Sequence, residues 1–414
     1  MYSNTGGVAP VPPETAATER LYYTDAYRRT FLAGVLALVP ASGGRTGVVL
    51  DRTAFYPTSG GQPHDTGTLG AIPVVDVVDA GDHVVHVLEP GGSPPGIGVE
   101  IGAEIDWNRR YDHMQQHTAQ HLVSAAFLEQ LRAETVSVHL GDTSTVDFGR
   151  QALSSEEAAA VEEAVAQVVY DDRPVTARFV DTYEADRLGL RRPAKRSGPL
   201  RVIEIEGLDR SACGGTHVKT TGELGPVLLR RWERAKGHLR VEFLAGWRGL
   251  RDYRWKHAFV SEWAARLTVG DRELPDAFGR LAARLEERER ALAASLKRLL
   301  AYEAAERLAA VPAGEGPKVL RLEFPERDAD EVRLLLRELT AREPSVVLAG
   351  VVATGRLYFV RSPGVAKDMT AVLTYAARAV GGRGGGTAEA AQGTAPPADV
   401  GRALDLAVEQ VRNG

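Results

Sequence analysis

Two short stretches carry residue types that can do chemistry together. "HTAQH" places His117 and His121 four residues apart, which on a helix is about one turn, so both imidazoles project from one face. "CGGTH" places Cys213, the one cysteine in 414 residues, four residues before His217 with two glycines between them. Three imidazoles and a thiolate are a donor set that Zn²⁺ accepts in a tetrahedron, at about 2.0–2.3 Å. Zinc is therefore the expected cofactor, with His117, His121, Cys213 and His217 as ligands. Gly214 and Gly215 are expected to turn the backbone tightly enough for Cys213 and His217 to face one ion, and to leave room for a substrate beside the backbone N–H groups. His113 also lies four residues from His117 and is an alternative partner for it. Its place in the first turn of the expected helix favours an exposed side chain, so His121 is preferred. Thr118 stands where an H-E-x-x-H protease needs its glutamate, which disfavours protease chemistry. Four protein ligands normally close a structural zinc site, whereas a catalytic zinc keeps a position for water. Either a ligand is displaced or coordination expands, or else the metal organises the pocket while positioned water and backbone dipoles react. Spacing assigns no catalytic residue.

The elements that must position these residues are legible in outline. Residues 1–18 are rich in Pro, Gly, Ala and Thr and are expected to be disordered. From 19 to 106, short β-branched runs ("TGVVLD", "AIPVVDVVDA", "HVVHVLEP") broken by Gly and Pro predict a small β-barrel-like domain. Within it, Phe31 to Val39 reads as a buried strand. From 107 to 255 an α+β region holds the histidine helix, with Asp112 as N-cap and Gln115 three residues on, then a helix capped by Ser154 or Ser155, then the strand "LRVIEIEGL". From 256 to 312, Phe278, Leu285, Leu292 and Leu299 recur seven apart in a charged helical arm, and Leu281, Arg288, Ser295 and Tyr302 form a second, imperfect seam. A helical hairpin and a parallel coiled coil both fit it. From 313 to 414 a compact α/β domain carries "GGRGGGTAEAAQG". The fold class is thus α+β, with the metal-binding region between a β domain and a helical arm.

Composition sets limits. At 44% hydrophobic and 25% charged residues the chain matches an ordinary globular protein, and one cysteine excludes a disulfide framework, which points to a reducing cytoplasm. The longest apolar run falls far short of the ~20 residues that span a bilayer, so no membrane partner is expected. Nothing at the N-terminus resembles a signal peptide. A net charge of −5 does not announce a nucleic-acid binder. Local clusters do raise it: Arg191, Arg192, Lys195, Arg196; Arg230, Arg231, Arg234, Lys236, His238, Arg240; and Arg248, Arg251, Arg254, Lys256. They form either a phosphate-facing surface or solvated faces balanced by nearby acids.

"RTAFYPTSGGQPHDTGTL", "HTAQHL", "RVIEIEGLDRSACGGTHV" and "GGRGGGTAEAAQG" occur in the order found in the editing and C-terminal regions of alanyl-tRNA synthetases. The chain resembles a freestanding alanyl-tRNA editing protein of the long AlaX type from about Leu21 onward, and nothing in it resembles the class II aminoacylation domain. The resemblance implies the same four zinc ligands. It implies trans-editing hydrolysis of mischarged alanine tRNA, carrying serine or also glycine, and an amino-acid pocket lined by Thr53, Gly60, Gly61 and Gln62, with Thr53 and Gln62 placed to hydrogen-bond a serine hydroxyl. The C-terminal domain resembles the one appended to alanyl-tRNA synthetases and DHH-type phosphoesterases. That implies a tRNA-binding module in which Gly381, Gly382, Arg383, Gly384, Gly385 and Gly386 approach phosphates. The helical arm or the C-terminal domain is where a homodimer would form. Two other readings fit the same residues: a zinc-structured tRNA-binding protein without catalysis, and editing of seryl-tRNA made on threonine tRNA.

Overall fold

The computed structural model describes residues 7–192, 199–312 and 314–413. The chain divides into two compact units, Met1–Glu262 and Trp263–Gly414, and both mix helices with sheets.

In the first unit the β-branched runs form β1 (Glu19–Arg20), β2 (Thr30–Ala41), β3 (Arg45–Leu50), β4 (Arg52–Thr53), β5 (Gly67–Leu69), β6 (Ile72–Ala80), β7 (His83–Leu88) and β8 (Glu100–Ile105). β1 and β4 pair in parallel, and the other six close into a barrel in the order β2-β3-β7-β6-β5-β8. Along β2 the buried residues alternate, Phe31, Ala33, Val35, Ala37 and Val39, the period of a strand with one face in a core. Of the stretch expected to be disordered, residues 1–6 lie outside the described residues, but the remainder follows the barrel. Ala9 N–H donates to the Pro40 carbonyl at 2.8 Å, Val8 is buried among Val39, Val49 and Val85, and the Thr18 hydroxyl donates to the Leu50 carbonyl at 2.8 Å. One buried valine and a few backbone bonds hold a segment whose composition suggests none.

After the barrel comes α1 (Trp107–Leu131), which starts earlier than expected. Asp106 rather than Asp112 caps it, accepting from Arg109 N–H at 3.2 Å, and Asp112 instead meets Arg248 at 2.6 Å. There follow β9 (Thr135–Leu140), β10 (Ser144–Phe148), α2 (Ser155–Tyr170), β11 (Val175–Val180), α3 (Thr182–Arg187), β12 (Leu200–Ile205), β13 (Asp209–Ala212), β14 (Val227–Ala235) and β15 (His238–Ala245). Ser154 and Glu157 close a reciprocal capping box on α2. α1 and α2 pack on an antiparallel sheet ordered β14-β15-β10-β9 around Met114, Leu122, Phe127, Val161 and Phe243. A second sheet, β11-β12-β13, ends one residue before Cys213.

The arm expected from residue 256 is two helices. α4 (Trp247–Leu267) starts nine residues sooner, and α5 (Leu274–Ala309) is a single helix of 36 residues. The seam positions of α5 stand open, with Phe278 40%, Leu285 60%, Leu292 71% and Leu299 66% exposed.

Beyond α5 lie β16 (Lys318–Phe324), α6 (Ala329–Arg342), β17 (Ser345–Val351), β18 (Arg356–Arg361), α7 (Met369–Ala379), β19 (Arg383–Gly386), β20 (Ala390–Thr394) and α8 (Val400–Asn413). The sheet runs β16-β17-β18-β20-β19, with only β16 and β17 parallel. α6 and the end of α5 (Leu300, Ala304, Leu308) cover one face, and α7 and α8 the other. The glycine-rich stretch is an edge strand rather than a loose loop. A Cβ on Gly384 would meet Leu373 of α7 at 2.5 Å and the Gln392 carbonyl at 2.7 Å, so helix and strand approach at a distance that only glycine allows.

Candidate metal centre

α1 carries His117 and His121 into the core of the first unit, and the segment leaving β13 brings Cys213 and His217 against them. The four donor atoms all lie within 4.8 Å of one another. Cys213 Sγ is 3.3 Å from His117 Nε2 and 3.4 Å from His217 Nε2. A tetrahedron with zinc–ligand bonds of about 2.0–2.3 Å has edges of roughly 3.3–3.8 Å, and the two separations from the sulfur match them.

Each imidazole is aimed by a partner on its far nitrogen. His117 Nδ1 lies 2.8 Å from Gln62 Oε1, His121 Nδ1 2.8 Å from Asp209 Oδ2, and His217 Nδ1 3.0 Å from Thr118 Oγ1. Amide and carboxylate oxygens only accept, so Nδ1 of His117 and His121 carries the hydrogen and Nε2 faces the centre. Gln62 is itself locked, its Nε2 donating to Thr216 Oγ1 at 2.9 Å and its Oε1 accepting from Thr216 N–H at 3.1 Å. The charges around the four donors act on one another. Burial opposes ionisation of the Cys213 thiol, but His117 and His217 beside the sulfur hold it well below its usual value. Burial and the charge of His117 push His217 down to about 3. Burial would lower His121, but Asp209 and Cys213 raise it to about 9. Asp209, against its own burial, is held at about 2 by His121 and Arg191.

The two glycines of "CGGTH" have different roles. Neither has a positive φ, which corrects the expectation of a tight turn that depends on both. A Cβ on Gly215 would fall 2.1 Å from His117 Cε1 and 3.1 Å from Gln62 Oε1, whereas one on Gly214 would only touch Tyr23 at 3.8 Å. Gly215 is required because His117 occupies the space where its side chain would be.

The loop that carries Gln62 is fastened to α1 by an ion pair with no solvent exposure. Arg110 Nε donates to Asp65 Oδ1 at 3.0 Å, its Nη1 to the Ala26 carbonyl at 2.8 Å, and its Nη2 to the Ala54 carbonyl. Asp65 also accepts from Tyr56 N–H at 2.6 Å. Gly60 and Gly61, at φ 56° and 88°, make the exposed turn in which Ser59 and Gln62 pair, and the Gly61 carbonyl accepts from Leu140 N–H at 2.9 Å. Thr53 is buried, its hydroxyl 2.7 Å from His86 Nε2. The structure thus brings Gln62 to the cluster, leaves Gly60 and Gly61 at the turn, and places Thr53, on β4, against His86 of the barrel strand β7. Gly381 to Gly386 belong to the second unit.

His113 corrects an expectation. It is 4% exposed rather than open to solvent, because α1 begins at Trp107, capped by Asp106, and this position is already in a packed turn. Its Nδ1 has no partner among the described residues, and burial pushes its pKa down to about 4. Sequence reading also missed Asp209, Thr118, Arg110 and Asp65. The signal available was weak: an acid four residues before Cys213 and a hydroxyl beside His117. Half of the twelve described members of the basic clusters are paired with acids. Arg191 meets Asp209 and Ser211, Arg230 meets Glu242 and Asp252, Arg231 meets Glu233, Arg240 meets Asp147, Arg248 meets Asp112, and Lys256 meets Asp252. That is the solvated-face reading for these residues. Lys195 and Arg196 lie outside the described residues.

A closed barrel is followed by an α+β region that gathers three imidazoles and a thiolate, and the comparisons relate both parts to tRNA synthetases. Residues 200–242 match the threonyl and alanyl tRNA synthetase second additional domain, and residues 15–109 match class II (A) tRNA synthetases. The latter match falls on the barrel and includes the stretch "RTAFYPTSGGQPHDTGTL". The alanine–tRNA ligase of Pyrobaculum neutrophilum is 37% identical over 94% of this chain and 43% of the ligase, and that of Pyrococcus abyssi 32% identical over 91% and 42%. The chain spans less than half the length of these ligases. The alanyl-tRNA editing protein Aarsd1 of Mus musculus is 32% identical over 78% of this chain and 81% of its own length. The chain belongs to the alanyl-tRNA editing protein family. No helix among the described residues is long and apolar enough to cross a membrane.

Proposed function

We propose that this chain hydrolyses the ester joining a wrong amino acid to the 3′ end of alanine tRNA, chiefly serine and also glycine, in the reducing cytoplasm. The observation that carries this reading is the convergence of His117, His121, Cys213 and His217, each imidazole held through its Nδ1, in a member of an editing family. An alanine site cannot strongly reject glycine or serine by size alone, so a separate hydrolytic site is needed. Hydrolysis adds water across the ester: the water oxygen bonds to the carbonyl carbon, the bond from that carbon to the ribose oxygen breaks, the ribose oxygen takes one proton of the water, and the other is released to solvent as the acid ionises.

His117, His121, Cys213 and His217 would hold the zinc, which when bound supplies a Lewis acid or a fixed cation that organises the pocket. Gln62, Asp209 and Thr118 keep the three imidazoles aimed. Cys213 is the partly exposed member of the four and Gly214 is exposed without a side chain, which supports entry of the acceptor end from that side. Thr53 supplies the discrimination for serine, with Gln62 acting by holding His117. In the second unit the outer edge of β19 and the exposed Arg383 supply backbone amides and a guanidinium for tRNA phosphates.

The deciding experiment incubates the protein with seryl-, glycyl- and alanyl-tRNA made on alanine tRNA, and with seryl-tRNA made on threonine tRNA. Release of serine from alanine tRNA, with alanine spared, is the expected result. Exclusive action on threonine tRNA, a reading favoured by the shared threonyl and alanyl domain match, would replace the proposal. Binding without turnover would reduce the protein to a tRNA-binding module. Thr53→Val should slow serine release more than glycine release.

A further inference from the structure

Thr53, on β4, is held against the barrel strand β7 by a fixed pattern of hydrogen bonds. Its Oγ1 accepts from Phe55 N–H at 3.0 Å and sits 2.7 Å from His86 Nε2. The other nitrogen of the same ring, His86 Nδ1, sits 3.0 Å from the Val48 carbonyl oxygen. His86 has no solvent exposure, and neither has Thr53. A carbonyl oxygen only accepts, so the ring hydrogen resides on Nδ1. Burial pushes the imidazole down to about 4, so the ring is neutral and Nε2 is a lone pair. The Thr53 hydroxyl must then donate its one hydrogen to Nε2. Of its two lone pairs one takes Phe55 N–H, and the other is left over.

We infer that His86 is a positioning residue that fixes the Thr53 hydroxyl as an acceptor toward the substrate, so that the pocket selects side chains able to donate a hydrogen bond. This rests on the reading of Thr53 as lining the amino-acid pocket. A serine side chain satisfies the remaining lone pair with its own O–H. Alanine and glycine cannot, and a group of serine's size that accepts without donating gains nothing. A freely turning threonine hydroxyl would serve donors and acceptors alike; the Val48–His86–Thr53 chain removes that freedom.

The test charges alanine tRNA with serine, glycine and 3-fluoroalanine, whose CH₂F group matches CH₂OH in size but has no hydrogen to donate. Wild-type protein should release serine faster than fluoroalanine. His86→Leu should reduce that ratio roughly 5-fold, the scale of one hydrogen bond, while leaving glycine release unchanged. His86→Gln, whose amide carries a donor for the Val48 carbonyl and an acceptor for the Thr53 hydroxyl, should restore the ratio. In a Thr53→Val background His86→Leu should move it no further. If His86→Leu slows serine, fluoroalanine and glycine release equally, His86 is only a core residue and the inference falls. Should wild-type protein release none of the three, the proposed function itself fails. Independently of any variant's folding, ¹⁵N spectra of the full chain should show His86 neutral with its hydrogen on Nδ1, and a hydrogen on Nε2 would overturn the inference.

Discussion

The pair His121–Asp209 links metal uptake to pH. Without metal, His121 keeps its proton up to about pH 9, while a metal ligand must be neutral. Taking up zinc below that pH therefore displaces a proton from His121, and affinity should rise about tenfold per pH unit between roughly 6.5 and 8.5. Competition with a chromophoric chelator measures it, and a flat profile would contradict the assignment of His121 as a ligand. The neighbouring loop gives a second contrast. Gly215→Ala pushes a Cβ into His117 and should weaken zinc at least about tenfold, as a displaced ligand does, whereas Gly214→Ala should leave zinc content unchanged. Both are read by metal analysis after dialysis. Helical i,i+4 spacing put His117 and His121 on one face, and the donor types of "CGGTH" offered Cys213 and His217, which an irregular segment brings to them. Spacing could not reveal their partners: Asp209 and Gln62 reach the site by tertiary packing from β13 and from a barrel loop, and no local periodicity encodes that.

At the level of elements, Arg110 joins α1 to the loop that carries Gln62. A buried ion pair with one partner removed leaves a charge without compensation, typically at a cost of about 3–5 kcal/mol. Arg110→Met should therefore lower stability by about that much in denaturant titration, and Asp65→Asn should do the same; loss below about 1 kcal/mol in both would refute the role given to the pair. The sequence showed where strands and helices lie because alternation and helical spacing are local. It misplaced the start of α1 by choosing Asp112 over Asp106, since both are acids that precede apolar helical residues and only the contact with Arg248 decides between them. The exposed reading of His113 failed for the same reason, as an error of six residues in the helix start moved it from core to surface.

On the scale of the whole chain, a protein that acts on tRNA gains affinity when two weak contacts are linked. If the second unit contacts tRNA away from the ester, a shortened chain ending near Gly270, after α4 is complete, should keep its zinc and its maximal rate on saturating substrate. It should bind tRNA at least several-fold more weakly and with a shallower salt dependence. Equal affinity and salt slope in filter binding would refute a tRNA-binding role for that unit. Cutting at residue 255 would be a poorer test, because it would sever α4. The fold of the second unit was legible as α/β, but the edge strand made by its glycines was not, since the sequence does not show that Leu373 must lie against Gly384. The solvated middle of α5 has a further consequence. Its residues from Arg280 to Ala294 are exposed on every side, whereas Leu300, Ala304 and Leu308 are packed. Backbone hydrogen bonds there are guarded by little besides the helix itself, so brief fraying should open them far more often than those at the packed end. Deuterium should enter the amides of Arg280 to Ala294 at least tenfold faster than those of Leu300 to Leu308, and trypsin should make its first cuts beside Arg284, Arg288 and Arg290, releasing two stable fragments. Uniform exchange along α5 would mean that something covers its middle in solution.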